Sequence, residues 1–292
     1  MNNLWTKDVE KKFFLESLDF ATIEQLFYVT ESNKYLAYWP KGYAGKKSTF
    51  QSRNSLIGSF TEKWTTDLIQ KIVSNKGLYA VSGAICNEIA LTNLSPADVV
   101  ISKKKEINQI SEDILAIIEV KMSIVWNWEY FNGGLICIGD YATHQGYPGL
   151  LRSDSMLKAI GKAINIRVSS EKASNIPIII MGNTPITKSY YPKVDHLKKS
   201  GIIQGFCSIN PAPLDNNNDN IKSTTSSGFL RMDGLDELSG YIDDLLSSKL
   251  NFFSSMKTKS ELGRIIRLAN QEKTDESRAE AFLKMLKGDK FD

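Results

Sequence analysis

Two acids and a lysine are spaced so that they could act together. Asp98 lies in Ser95-Pro-Ala-Asp-Val-Val-Ile101, and Glu119 and Lys121 close the stretch Ile114-Leu-Ala-Ile-Ile-Glu-Val-Lys121. The second stretch opens as an apolar run of strand type. Side chains alternate across a strand, so Glu119 and Lys121 project from one face and Val120 from the other. Burying charge is expensive, so a carboxylate and an ammonium together at the end of such a strand call for a reason. A second acid about twenty residues earlier, on another strand-like run, supplies one. A hard divalent cation takes oxygen ligands and is commonly held by one or two carboxylates with phosphate and water. An ammonium beside it can orient or deprotonate an attacking water, or stabilise developing charge. Glu88 is a rival acid, whereas Asp113 is too near Glu119 along the chain to sit on a neighbouring strand.

The flanking pattern says what would hold these groups. Residues 4–30 carry apolar positions at helical spacing, read as two short helices. Residues 35–49 mix aromatics with Lys41, Lys46 and Lys47, which suits either a nucleic-acid backbone or a solvated loop with aromatic anchors. Asn54 to Asn75 reads as an amphipathic helix with Leu56, Ile57, Phe60, Trp64, Leu68, Ile72 and Val73 inward and Glu62 off that stripe. Three strands follow, over 78–92, 98–102 and 114–125, as a meander with the acids on the second and third. The aromatic-rich stretch 122–148 contains one short strand, 135–138, and His144, which suits a base, a DNA contact or a structural role. A helix spans 150–167, capped by Ser153 or Ser155, with Arg152, Lys158 and Lys162 outward. Ile176-Pro-Ile-Ile-Ile-Met181 is a buried strand of the parallel type. The basic, tyrosine-bearing stretch 183–199 lies beyond its end, where open α/β sheets bind ligands. Lys188, Tyr190 and Lys193 there, with outward Arg152 of the preceding helix, are the expected DNA contacts; an ordinary basic loop and short helix is the alternative. A last strand covers 202–208.

Residues 210–228, rich in Pro, Asn, Asp and Ser/Thr, read as a mobile boundary. Helices follow it. Asp233 is expected to cap the first, and Ser277 with Glu280 the last, which Gly288 would close. The organisation is thus an N-terminal helical extension (1–50), a core (51–209), and a linker with C-terminal helices (210–292).

Bulk properties narrow the classes. The chain has 292 residues, 42% hydrophobic and 24% charged, with a net charge of +3, which is compatible with nucleic acid without requiring it. Three scattered cysteines and two histidines make neither a disulfide framework nor a histidine-rich zinc site, and point to a reducing cytoplasm. The first residues carry no signal-peptide apolar run, and no stretch is apolar for long enough to span a bilayer. A Gly-x-x-x-x-Gly-Lys-Ser/Thr phosphate loop is missing, which argues against an ATP-driven machine.

An Asp, about twenty residues, and then Glu-x-Lys on adjacent strands resembles the PD-(D/E)xK nuclease superfamily and, within it, the type II restriction endonucleases, over roughly residues 51–209. The resemblance implies an α/β, restriction-endonuclease-like fold: a mixed central β-sheet flanked by helices, with extra helices at both termini. It implies Mg²⁺ held by Asp98, Glu119 and the Val120 carbonyl, with Lys121 at the attacking water and Glu62 brought near by the first core helix. One or two ions remain open. One departure is visible: Pro96 and Asp98 are separated by Ala97, which leaves the choice of Asp98 slightly open. The implied activity is Mg²⁺-dependent, sequence-specific hydrolysis of double-stranded DNA. Cutting both strands implies a two-fold homodimer, and such a system implies a cognate DNA methyltransferase in the cell, not as a bound subunit. The alternatives are a structure-directed repair, phage or mobile-element nuclease of the same fold, and a non-catalytic DNA-binding protein.

Overall fold

The computed structural model describes residues 4–47, 51–216, 220–248, 250–252 and 257–287. In chain order the elements are helices α1 (Lys7–Leu18) and α2 (Ile23–Leu26), short strands β1 (Tyr28–Val29) and β2 (Tyr35–Leu36), helix α3 (Gln51–Val73), strands β3 (Tyr79–Ala84), β4 (Ala97–Ser102) and β5 (Ile114–Val120), the hairpin β6 (Asn127–Phe131) and β7 (Gly134–Gly139), helix α4 (Ser153–Ser169), strand β8 (Ile178–Gly182), helix α5 (Tyr191–Lys199), strands β9 (Gly205–Ser208) and β10 (Phe229–Arg231), and helices α6 (Leu235–Ser247), α7 (Lys259–Ala269) and α8 (Asp275–Lys287).

The main sheet has six strands in the order β10-β9-β8-β5-β4-β3. The β3–β4–β5 half is an antiparallel meander, and β5, β8, β9 and β10 run parallel. β5 and β8 are buried along their whole length apart from Leu115, as near-continuous Ile/Val runs in a sheet covered on both faces should be. One face packs Val99, Ile101, Ala116, Ile118 and Ile179 with α3 and α6; the other packs Val100, Ile117, Ile178 and Ile180 with Met156, Ala159, Ala163 and Ile166 of α4 and Val194 of α5. The architecture is therefore mixed α/β, a six-stranded mixed sheet between two helical layers, with further helices at both ends. Among the described residues no helix is long and apolar enough to cross a membrane.

Several boundaries differ from expectation. β3 stops at Ala84, because Gly83 takes φ +65 and the chain turns into the short helical turn Asn87–Ile89. β5 ends at Val120, five residues early. The aromatic-rich stretch after it forms β6 and β7, which pair with β1 and β2 in a second, four-stranded sheet of order β1-β2-β6-β7. Neither serine caps α4; Arg152 stands at the N-cap without a side-chain hydrogen bond. Gly234, not Asp233, precedes α6, and Asp233 pairs instead with Arg231 and Lys222. α8 starts one turn early, because Thr274 accepts the Ser277 N–H; Gly288 lies outside the described residues.

The stretch expected to be a mobile boundary is tied down over its described part. Asp195, buried on α5, accepts from Thr224 Oγ1 at 2.6 Å, Ser226 N at 3.0 Å and Gly228 N at 2.8 Å. Those bonds lead the chain into β10, which adds to the edge of the main sheet. The sheet-forming core thus runs past residue 209 to Arg231.

Candidate active site

Strand register brings the acids together. Val99 pairs with Ile118 and Val100 with Ile117 across antiparallel β4 and β5. One more step of that register sets Asp98 opposite Glu119, at the separation where cross-strand side chains interact. Their face is that of Val100 and Ile117, the one α4 covers. Lys121 follows Glu119 on the same face, and its N–H donates to Met181 O at 2.7 Å, so the ladder to β8 continues one residue past the strand end.

The contacts form a closed set. Asp98 Oδ2 accepts the Val120 N–H at 2.7 Å, and Asp98 Oδ1 takes the Lys162 ammonium at 3.1 Å. Glu119 Oε1 takes the Lys121 ammonium at 2.5 Å. Lys162 Nζ also lies 2.5 Å from Glu119 Oε2, a close ion pair. Lys121 Nζ is also 3.6 Å from Asp98 Oδ2 and donates to the Val120 carbonyl at 3.1 Å. All four side chains are at least four-fifths buried, Glu119 most of all at 7% exposure. Burial pushes the Glu119 carboxyl above its usual range and Asp98 opposite pushes it further, against the pull of Lys121 and Lys162. Burial alone would lower Lys162, but Glu119 and Asp98 overcome it and the net shift is upward. Glu62, half-buried on α3, is raised by burial and then by Asp98, so a third carboxylate feels the same cluster. A buried ion-pair cluster is a poor device for stability, and perturbed carboxylates gathered in one place mark functional sites.

Lys162 is the member that sequence reasoning missed, having been placed on the outward face of its helix with Arg152 and Lys158. The signal was present: Lys162 follows Ala159 by three residues and precedes Ile166 by four, on the buried stripe of α4. A lysine there reaches inward along the sheet with its stem buried and its ammonium at the strand ends.

Further buried polar groups tie the loops beyond the strand ends together. Asn183 accepts from Ser123 N at 3.1 Å and donates to Ser123 O at 2.6 Å, Thr184 Oγ1 accepts from Leu150 N at 2.9 Å, and Asn210 donates to Asn183 O at 3.1 Å. Gly149 passes close by with φ +52, where an added Cβ would sit 3.0 Å from Thr184 Oγ1 and 3.1 Å from the Lys121 carbonyl. Gly149→Ala is expected to cost about 2 kcal/mol through that conformation and contact. Thermal unfolding checks this, and an unchanged midpoint would remove the constraint.

Other residues singled out in the sequence lie elsewhere. Glu88 pairs with Lys172 and accepts from Ser111; the Lys172 ammonium and the Ser111 bonds hold its carboxyl down at about 2. Asp113 pairs with Lys104 at 2.9 Å. His144 is buried, stacked on Tyr38 at 3.9 Å, with its ring nitrogens on the Gln145 and Val125 carbonyls, and burial lowers it: a structural histidine. Arg152, Lys188 and Lys193 are exposed, as surface contacts must be. Tyr190 is not: it is 4% exposed, packed in the core, with Lys193 Nζ 4.6 Å above its ring. That burial takes it out of the expected DNA contacts. The aromatics of 35–47 turn inward too, Trp39 stacking on Tyr28 and Tyr43, which fits the anchored-loop reading.

No family model, curated protein or solved structure matches this chain. The chemistry of the site therefore rests on its own donor set. Among the described residues no three His, Cys, Asp or Glu side chains converge as a ready metal cluster. Mg²⁺ needs fewer, since one or two carboxylates suffice beside phosphate and water. Asp98 and Glu119 are two hard oxygen donors on facing strands, the Val120 carbonyl is adjacent, and Glu119 Oε2 and Asp98 Oδ1 both face one cationic group, the Lys162 ammonium. The set fits a hard divalent cation.

Proposed function

We propose that this protein is a Mg²⁺-dependent endonuclease of the PD-(D/E)xK type, with a restriction-endonuclease-like core running from α3 to β8, acting sequence-specifically on double-stranded DNA. The observation that carries the reading is the placement of Asp98 opposite Glu119, with Lys121 on the same face of β5. The order of helix, antiparallel three-strand meander, helix and parallel strand around them supports it.

In this reading Asp98, Glu119 and the Val120 carbonyl hold the ion. Bound there, Mg²⁺ would supply Lewis acidity toward a phosphate and its attacking water. Lys121, anchored by Glu119 and by the Val120 carbonyl, presents an ammonium to the charge that develops as the phosphodiester opens. Glu62, whose carboxyl is raised by burial and by the charge of Asp98, is the further acid that the first core helix would bring toward the site. Exposed Arg152, Lys188 and Lys193 contribute cationic contacts to the DNA backbone, a sequence-independent and salt-sensitive term. A two-fold homodimer would supply one site per strand, in a cytoplasm that also contains a cognate DNA methyltransferase.

The test is incubation of the purified protein with long mixed-sequence duplex DNA and Mg²⁺, beside an EDTA control. Discrete fragments that vanish with EDTA are the expected result. A metal-dependent smear would remove the sequence-specific claim and favour a structure-directed nuclease. Intact DNA across several sequences and divalent metals would overturn the enzyme and leave a DNA-binding module.

A further inference from the structure

We propose that Lys162 is a built-in counter-ion: its ammonium occupies the position of a divalent cation shared between Asp98 and Glu119, and cation binding displaces it. This rests on the metal-site reading above and adds to it how that site is held before an ion arrives.

The assignment follows from which oxygens are committed. Asp98 Oδ2 is taken by the Val120 N–H, and Glu119 Oε1 by Lys121. The two remaining oxygens, Asp98 Oδ1 and Glu119 Oε2, face the same point, and Lys162 Nζ stands there, 3.1 Å from one and 2.5 Å from the other. A cation shared between the facing carboxylates would draw on oxygens of both, and these are the two that backbone and Lys121 leave over. Lys162 is the one cation set against both of these oxygens in the ion pairs of the described residues. Both contacts are charge against charge, which a cation of higher charge at the same point can replace.

The charge balance gives the device its use. Asp98, Glu119, Lys121 and Lys162 sum to zero, so the metal-free protein does not confront two facing buried carboxylates with one lysine. Without Lys162 the two acids repel at short range in a partly desolvated site. Displacement makes and breaks no covalent bond and moves no proton: the ammonium swings out on four methylenes and stays tethered to α4 beside the ion. It comes from a helix, whereas Lys121 is fixed by the ladder of β5 and by the Val120 carbonyl. Lys162 is therefore the lysine that can leave while the other stays.

The experiment is a calorimetric titration of Mn²⁺ into the full-length protein without DNA, comparing the unaltered chain with Lys162→Met. Lys158→Met, four residues away on the exposed flank of α4, is the control. Removal of a competing cation is expected to tighten Mn²⁺ binding about tenfold or more, with the control unchanged. Equal affinity in the wild type and Lys162→Met would overturn the counter-ion while leaving the metal site standing. Weaker binding in Lys162→Met would overturn it as well, showing that Lys162 supports the site. Absence of saturable Mn²⁺ binding in every variant would sink the metal-site reading itself. Circular dichroism verifies each fold first, and Lys162→Gln, which keeps a polar end on a shorter stem, repeats the comparison if Lys162→Met does not fold.

Discussion

Asp98→Asn is expected to lower the rate of Mg²⁺-dependent DNA cleavage by about 10³-fold or more, roughly 4 kcal/mol of transition-state stabilisation. The substitution is nearly isosteric and keeps an oxygen to accept the Val120 N–H, the 2.7 Å bond that fixes the strand end. What it removes is the anionic charge facing Glu119. An amide is a weak ligand for a hard cation, so the site would retain its shape and lose its grip on the ion. The loss should therefore appear in turnover more than in stability, and higher Mg²⁺ should restore it only in part. Steady-state cleavage of a mapped substrate, with the unfolding midpoint measured on the same preparation, separates the two. Cleavage within a few-fold of wild type would remove Asp98 from the site. Full loss accompanied by a collapsed unfolding midpoint would assign it a structural role alone.

Glu10→Ala is expected to destabilise the fold by about 3–5 kcal/mol. Glu10 is fully buried on α1, and its carboxylate accepts from Trp5 Nε1, the backbone N–H groups of Val125 and Trp126, and Trp128 Nε1. Val125, Trp126 and Trp128 thereby tie the N-terminal helix to the chain that runs from the end of β5 into β6. Alanine would leave four buried N–H groups without the acceptor they now share, two of them indoles. Denaturant unfolding measures the loss, and a change below 1 kcal/mol would show that water replaces the carboxylate.

The same residue sets a pH dependence. Burial pushes the Glu10 carboxyl from its ordinary 4.5 up to about 7, against the four donors that favour the anion. Because the folded value is the higher one, the native state holds the proton more tightly than the unfolded chain. Its contribution to stability is complete below about pH 4.5 and is lost as pH rises through about 7, for a total of about 3 kcal/mol. The anion is still a far better acceptor than nothing, so both predictions hold together. Stability measured from pH 4.5 to pH 8 should fall more steeply in the wild type than in Glu10→Ala, and equal slopes would refute the assignment.

Much of the fold was legible because its signals are local. The stripe of α3, the apolar runs of β4, β5 and β8 and the stripe of α4 declare themselves within one element, since burial on a given face recurs at the period of that element. The second sheet did not. β1 and β2 are two residues each, and the pairing that joins them to the β6–β7 hairpin, β2 with β6, spans about a hundred residues of chain, so no window contains the pattern. Tyr190 misled for a related reason. A tyrosine among lysines looks like a nucleic-acid contact, and only the packing of α5 against the sheet shows that its ring faces the core.

The site divides along the same line. That Glu119 and Lys121 share a face, with Val120 opposite, was determined by the sequence alone, because covalent geometry gives a strand a period of two. That Asp98 stands across from Glu119 was decided by the pairing of β4 with β5, where a slip of one residue would have turned Asp98 to the other face. Lys162 belongs wholly to the tertiary structure. Its place depends on how α4 is rotated against the sheet, and that rotation is set by Met156, Ala159, Ala163 and Ile166 packing on strands far away in the chain. Local periodicity marks a residue as inward; only the packed helix and sheet decide which charges its side chain meets there.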